Sequence, residues 1–548
     1  MTDVAASLEA GAESLLCRQR PDGTIHFASS ESATLGTVGA TIALNLHSPK
    51  ESAGHIRRGL AWLVRTQNAD GGWGAVPGQF SEAVPTAAAV AAVEILGGEH
   101  HADTVAKGRS TLEALDGLDG IKDPVVAQLC RRFHAMAGWL DEGSAQRLPL
   151  WVVLLPSLRR KRISFRTAPY VGAALAQARA NPGGPVNRLL TRIAKPVALG
   201  LLREIHRHEG GTGEVADDPW AAGLLAIGLV RAGEAPDLTD AIAGYLRASI
   251  NDDGAWPAVN IGLTYSGFAM TGLADAGYAA DERLTATAKL FHRTRQAEPF
   301  RVFDCPAGGW SYSGPRGWPV TLESAEILSA LAALPGADQD EHLRDGARWL
   351  ASRQDTRGSW SLWVKDTKLA NDGPCPYITS QSVDVLLETG ATGSDPRVDK
   401  AIRWLITQQR EDGTFDALWY RGNTPGTSVV LGALARAGHA DHEVARRARD
   451  WLLSTQLDDG SWSTGHGDPG TVEETAWALR ALLAAGVDPG SDAVESAVSW
   501  LLAAQGKDGH WPEAPVSAYV RYCVHYPNGA ITTGLALRAL AAYRKATA

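Results

Sequence analysis

Cysteine is scarce and scattered. The 548-residue chain carries five, at Cys17, Cys130, Cys305, Cys375 and Cys523. They are odd in number, far apart and never in a C-x-x-C arrangement, which excludes a disulfide framework or a zinc knuckle and predicts reduced thiols. Positive charge is also in deficit: 52 Lys and Arg face 61 Asp and Glu, a net charge of −9, which argues against nucleic acid as a partner. No apolar run approaches the roughly 18 residues of a membrane span. The opening MTDVAASLEAGAESLL lacks the basic lead segment of a secretory signal, so a cytoplasmic protein is expected. Missing too are the G-x-x-x-x-G-K-[ST] phosphate loop, the G-x-G-x-x-G dinucleotide turn and the G-x-S-x-G nucleophile elbow. Phenylalanine is sparse, nine against eighteen tryptophans. That inversion calls for a repeated structural cause.

The cause is legible in the chain. Gln, then Asp, Gly and an aromatic, recurs as QNADGGW ending at Trp73, QDTRGSW at Trp360, QREDGTF at Phe415, QLDDGSW at Trp462 and QGKDGHW at Trp511. Degenerate copies are QRPDGTI near the start, INDDGAW at Trp256 and CPAGGW at Trp310; from 256 to 511 the spacings are 54, 50, 55, 47 and 49 residues. A period in this range marks a repeat architecture. Each unit pairs an amphipathic stretch such as ARRARDWLLSTQ with a second helix such as TVEETAWALRALLAAG. The second opens on a capping-box spacing, Thr471 to Glu474. The Asp-Gly step is expected to stop the first helix. Trp and Gln read as structural parts, the ring stacking on the preceding turn and the amide tying neighbouring loops. Helix pairs repeated around a ring give an all-α fold of (α/α) barrels.

These repeats resemble the squalene–hopene and oxidosqualene cyclase family, the class II terpene cyclases. LPLWVVLLPS, VADDPWAAGLLAIGLV, WYRGNTPGTSVVLGAL, YVRYCVHY and RGWPVTLESAEIL are similar to further family segments, spread over nearly the whole chain. The resemblance implies two (α/α) barrels in a dumbbell, with an inserted barrel at 16–215 and a larger one from 1–15 and 216–548. It also implies a buried apolar cavity between them, a hydrophobic isoprenoid small molecule as partner, and cyclisation started by an acid without a redox cofactor. Mg2+ would enter only with a diphosphate substrate. His100-His101 and His206-x-His208, each beside a Glu, are the nearest approach to a metal set, and no metal site is expected.

Cyclising a polyene requires a proton donor, aromatic faces for the travelling cation, and exclusion of water. The resemblance places Trp220, Tyr312 and Trp419 at family pocket positions, and Tyr519, Tyr522 and His525 on the Tyr-rich terminal run; ordinary packing is the alternative for each. The donor is where the pattern breaks. Family members carry an Asp-rich segment before the helix, and here the run is Val320-Thr321-Leu322-Glu323-Ser324, with Leu322 at the donor position. Two carboxyls are available. Asp384 matches the position where hopene-type members hold the His that orients the donor; Glu323 follows Leu322 directly. A helical step of about 100° per residue turns Glu323 toward the barrel wall, so Asp384 is the expected acid. An isoprenoid-binding scaffold without an acid, and an isoprenoid transferase or isomerase, are the alternative functions. LPLWVVLLPSLRRKRISF reads either as a contact with an anionic membrane surface or as a packing segment with a solvated basic end.

Overall fold

The computed structural model describes residues 2–27, 32–141, 146–465, 467–520 and 523–548. Tyr522 lies outside the described residues. Helix α1 (Thr2–Leu16) precedes a first barrel of α2 (Thr34–His47), α3 (Ala53–Arg65), α4 (Ala83–Gly97), α5 (Ala102–Ala114), α6 (Pro124–Met136), α7 (Thr167–Ala180), α8 (Pro185–His208), α9 (Pro219–Ala232) and α10 (Pro236–Ala248). The second barrel contains α11 (Gly262–Leu273), α12 (Leu284–Thr294), α13 (Thr321–Ala332), α14 (Glu341–Ser352), α15 (Pro376–Glu388) and α16 (Pro396–Ile406). It continues through α17 (Thr424–Arg436), α18 (Glu443–Ser454), α19 (Val472–Ala484), α20 (Asp492–Ala504) and α21 (Gly529–Ala546). Besides short 3-10 and π-helical turns, the described residues form two short antiparallel ladders: β1 (Trp462–Ser463) with β2 (Gly470–Thr471), and β3 (Ser517–Val520) with β4 (Val524–Tyr526).

In the second barrel α11, α13, α15, α17, α19 and α21 pack each on the next, and α21 returns to α11, closing the ring. These inner helices are buried on nearly every side; all of α11 is. The outer helices carry one apolar face, as in α16, where Val398, Ala401, Ile402 and Leu405 are buried at helical spacing. Helix α1 packs on α21 and α20, supplying the outer partner for the last inner helix.

The repeat supplies the fasteners. Trp360, Trp462 and Trp511 are fully buried, and each indole N–H donates to the carbonyl ten residues earlier, on Leu350, Leu452 and Leu501, at 2.7–2.8 Å. Each Gln amide bridges its own loop to the next outer helix: Gln354 to Gly358 and Arg397, Gln409 to Gly413 and Val444, Gln456 to Gly460 and Ala493. Gln505 reaches Ser7 of α1 in the same way. Trp and Gln are thus structural parts, with one difference from expectation: the ring meets the following outer helix, as Trp310 meets Gly346 of α14 and Trp511 meets Gly11 of α1. The Asp-Gly step does not stop the helix: α18 ends at Ser454, ahead of the motif, and Gly460 (φ +89°) turns the loop against the backbone of Ser496. Thr471 caps α19, accepting from the Glu474 N–H at 3.2 Å.

The barrel boundary falls later than residue 215. Helices α9 and α10 belong to the first barrel: α9 is clamped between α2 and α7 where Gly223 meets Gly39 and Gly228 meets Gly172, approaches that a Cβ would block. The second barrel thus starts at α11. The segment after Leu148 packs along the barrels. Leu150, Val153, Leu158 and Ile163 are buried, and Lys161 pairs with Asp366 of the second barrel, while Trp151 and Leu155 stay exposed.

Candidate active site

A cavity of about 110 Å3 sits over the N-terminal ends of α11, α13 and α21, where the second barrel meets the first. The approach to α13 is fixed by its own repeat. Val320 N–H donates to Trp310 O at 2.7 Å, Thr321 N–H to Leu362 O at 2.8 Å, and the Ser324 hydroxyl accepts from Trp310 N–H at 2.9 Å. With Ser324 held against the loop, Leu322 and Glu323 both face the cavity. At the mouth of a helix the first-turn side chains project along the axis as well as outward, so the rotation that was expected to turn Glu323 to the wall does not remove it.

Glu323 is buried. Its Oε1 accepts from the Thr264 hydroxyl at 3.3 Å, and its Oε2 has no hydrogen-bond partner. Burial pushes its pKa up to about 7, against the lowering from its own backbone N–H and from Thr264, and the nearby Glu326 raises it further. Around it stand Tyr312, Trp363, Trp419, Tyr420, Tyr519 and Tyr526. Trp363 and Trp419 meet edge to face at 6.1 Å and 77°, and neither indole N–H has a hydrogen-bond partner. Tyr312 donates its hydroxyl to Ala216 O at 2.9 Å. The β3–β4 hairpin is joined to the 419–421 loop by Ala518 N–H to Trp419 O at 2.8 Å and Arg421 N–H to Val516 O at 2.7 Å. That junction brings Trp419, Tyr420 and Tyr519 together.

Asp384 is not at this cavity. It forms a two-pronged ion pair with Arg436 and lines a separate polar cavity of about 40 Å3 with Glu326, Gln381, Glu388, Arg480 and Arg538. The reason is axial position. Glu323 is the third residue of α13 and Asp384 the ninth of its neighbour α15, so Asp384 lies roughly 9 Å further along the barrel at 1.5 Å per residue. The repeat register carries that information. Thr379 accepts from Trp360 N–H as Ser324 does from Trp310, which makes Ile378, not Asp384, the counterpart of Glu323.

The remaining expected residues divide. Leu322, Tyr312, Trp419 and Tyr519 line the cavity. Trp220 instead stacks on Phe133 at 5.5 Å in a second cavity of about 450 Å3, framed by α6, α7 and α9. His525 faces the first barrel, its Nδ1 2.7 Å from Glu82 Oε1 with both side chains buried, a tie between barrels and not a cavity wall. Sequence reasoning missed Thr264, Trp363, Tyr420 and Tyr526. Tyr420 and Tyr526 stand inside segments it had singled out; Thr264 carries no sequence signal.

Residues 8–164 match the squalene-hopene cyclase N-terminal domain and residues 361–545 the squalene-hopene cyclase C-terminal domain. The squalene–hopene cyclase of Zymomonas mobilis is 26% identical over 245 residues, 38% of this chain and 36% of that protein. The copalyl diphosphate synthase of Streptomyces cyslabdanicus is 27% identical over 452 residues, 78% of this chain and 77% of that protein. The chain spans 36 to 39% of the length of the first squalene–hopene and dammaradiene cyclases it matches. In fold it is similar over its whole length to the ent-copalyl diphosphate synthase from Streptomyces platensis, with a TM-score of 0.61 at 20% identity. The chain belongs to the class II terpene cyclase family.

Proposed function

We propose that the protein cyclises a linear isoprenoid or a prenylated small molecule by protonation, with Glu323 as the acid in place of the family donor absent at Leu322. One observation carries this: a buried carboxyl with an unpartnered oxygen, raised to about 7, at the wall of an aromatic cavity. An initiating acid must hold its proton beforehand and be stable once it is lost. Burial and Leu322 favour the first; the first turn of α13 and Thr264 favour the second. Glu323 adds its proton to a terminal alkene or epoxide, and the new C–H or O–H bond leaves a cation for the next double bond to attack. Aromatic faces stabilise that cation by up to about 2 kcal/mol each when desolvated.

Glu323 must then regain a proton. Glu326, one turn further along α13, lines the polar cavity and is itself raised to about 7 by burial. Tyr377 at that cavity meets Tyr420 of the upper one, ring centroids 4.5 Å apart. This is the proposed supply route. The 450 Å3 cavity adjoins the first at Phe165 and Tyr519, and together they fall in the roughly 300–1,000 Å3 range of ligand pockets. The isoprenoid end fits beside Glu323 and the head group in the larger space, where Arg166 carries a buried Nη2 without a hydrogen-bond partner. Val186, Leu189, Ile193 and Val197 form an exposed stripe on α8 beside Trp151 and Leu155, proposed to rest on a membrane surface from which a hydrophobic substrate enters. No described helix is long and apolar enough to cross one.

Incubation with geranylgeranyl diphosphate, squalene and oxidosqualene, followed by mass spectrometry, tests the proposal. A cyclised product with the mass of its substrate is expected; binding without conversion of any of the three would favour a binding scaffold instead.

A further inference from the structure

Phe165 and Tyr519 are the two side chains shared by both cavities. Their place matters for the last step of a cyclisation. Rings form from the end held at Glu323, and the uncyclised remainder extends into the larger cavity. The final cation therefore arises at the junction, beside these two residues. Phe165 offers only a π face. Tyr519 offers a hydroxyl, and that hydroxyl donates to the Oδ2 of Asp218.

Asp218 is 1% exposed and caps α9, its Oδ1 accepting from the Trp220 N–H at 2.9 Å. The chain reaches it through Ala216 and Asp217, both left-handed at φ +55° and +48°. Such a conformation costs on the order of 1 kcal/mol or more per residue, and here it carries a carboxylate across the barrel interface to the tyrosine. Three other polar groups at the smaller cavity already hold a partner. The Tyr312 hydroxyl is bonded to Ala216 O, Asn528 caps α21, and Thr264 serves Glu323.

We propose that Tyr519 and Asp218 together form the base that ends the cyclisation by proton loss. This rests on the reading of Glu323 as the initiating acid. A carbon next to the final cation releases a proton, and the electron pair of that C–H bond becomes the new double bond. The proton passes to the Tyr519 oxygen as the proton of Tyr519 moves to Asp218 Oδ2. The carbocation is thereby discharged, and Asp218 holds one proton until it returns to solvent. Burial raises Asp218 to about 6, and the Tyr519 hydroxyl with the first N–H groups of α9 limits the rise, so the carboxylate is the main form at neutral pH.

Two variants test the pair in the full-length protein, with geranylgeranyl diphosphate, squalene and oxidosqualene as probes. Asp218→Asn keeps the helix cap through its amide oxygen and turns an NH2 toward Tyr519, a donor that cannot take the tyrosine's proton; Tyr519→Phe removes the hydroxyl. Both are expected to continue consuming substrate, more slowly, because the acid is untouched. The share of the wild-type alkene should fall at least about tenfold, replaced by other alkene isomers or water-captured alcohols. Glu323→Gln, in contrast, should stop consumption without changing the product ratio of whatever remains. Wild-type proportions in both variants would overturn the inference while leaving the initiation reading intact, and so would complete loss of consumption in a folded Asp218→Asn protein. A wild-type protein that converts none of the probes removes both. If Tyr519→Phe does not fold, the product ratio of Asp218→Asn decides.

Discussion

Replacing Glu323 by Gln removes the proposed acid and little else. The amide oxygen can still accept from Thr264, now at 3.3 Å from Oε1, and the side chain keeps its length. The Oε2 position already lacks a partner, so the stability cost should stay within about 1–2 kcal/mol. The rate should respond far more. With a pKa near 7, about half of Glu323 is protonated at neutral pH. The other proton donors lining the cavity are phenols, and burial holds Tyr312, Tyr420, Tyr519 and Tyr526 well above their ordinary value of 10. A donor at least three units weaker forfeits about 4 kcal/mol of driving force at 1.36 kcal/mol per unit, or about a thousandfold in rate when transfer is nearly complete in the transition state. The assay is product formation by mass spectrometry from the probe that the wild type converts, with circular dichroism to confirm folding. Glu323→Gln activity within tenfold of wild type would refute the reasoning.

Turnover by the wild type should fall as pH rises through about 7, because the protonated form of Glu323 is the active one; a pH–rate profile of product formation checks this. Glu326→Gln should slow steady-state turnover while a single turnover by pre-protonated enzyme keeps its rate, a split that rapid-mixing kinetics would detect. Asp384→Asn should leave the product unchanged and cost about 1–2 kcal/mol of stability, allowing for the partial exposure of Arg436; thermal unfolding and product analysis check the two parts. Stability itself should decline from about pH 5 to pH 8. Glu209, Glu323, Glu326, Glu473 and Glu474 are raised by burial to about 7 or 8. Across that window the folded chain therefore holds protons that the unfolded chain has released, and melting temperatures across the range should show the fall.

The repeat made the helical pairs and the role of Trp and Gln readable, because those side chains make the same bond in successive units. It could not show that α9 belongs to the first barrel: the glycine contacts at Gly223 and Gly228 that decide it lie on surfaces distant in sequence. The aromatic wall was half legible. Tyr312, Trp419 and Tyr519 sit where the family resemblance put them, whereas His525 sits on a hairpin whose register turns it toward Glu82. Asp384 was misplaced for a physical reason. Matching a position on an adjacent helix says which side faces inward but not how deep it lies, and Asp384 stands six residues further along α15 than the counterpart of Glu323, at the polar cavity. Asp218 could not be recognised before its partner Tyr519, 301 residues away, was in place.

The most direct test of the central claim is cyclisation in D2O. If Glu323 exchanges its proton with solvent and delivers it to the substrate, the product formed by the wild type carries a single deuterium, located at the carbon that was the terminal alkene, or on the oxygen of an opened epoxide until it exchanges. With an alkene substrate, a cyclised product bearing no deuterium at that carbon would contradict initiation by protonation.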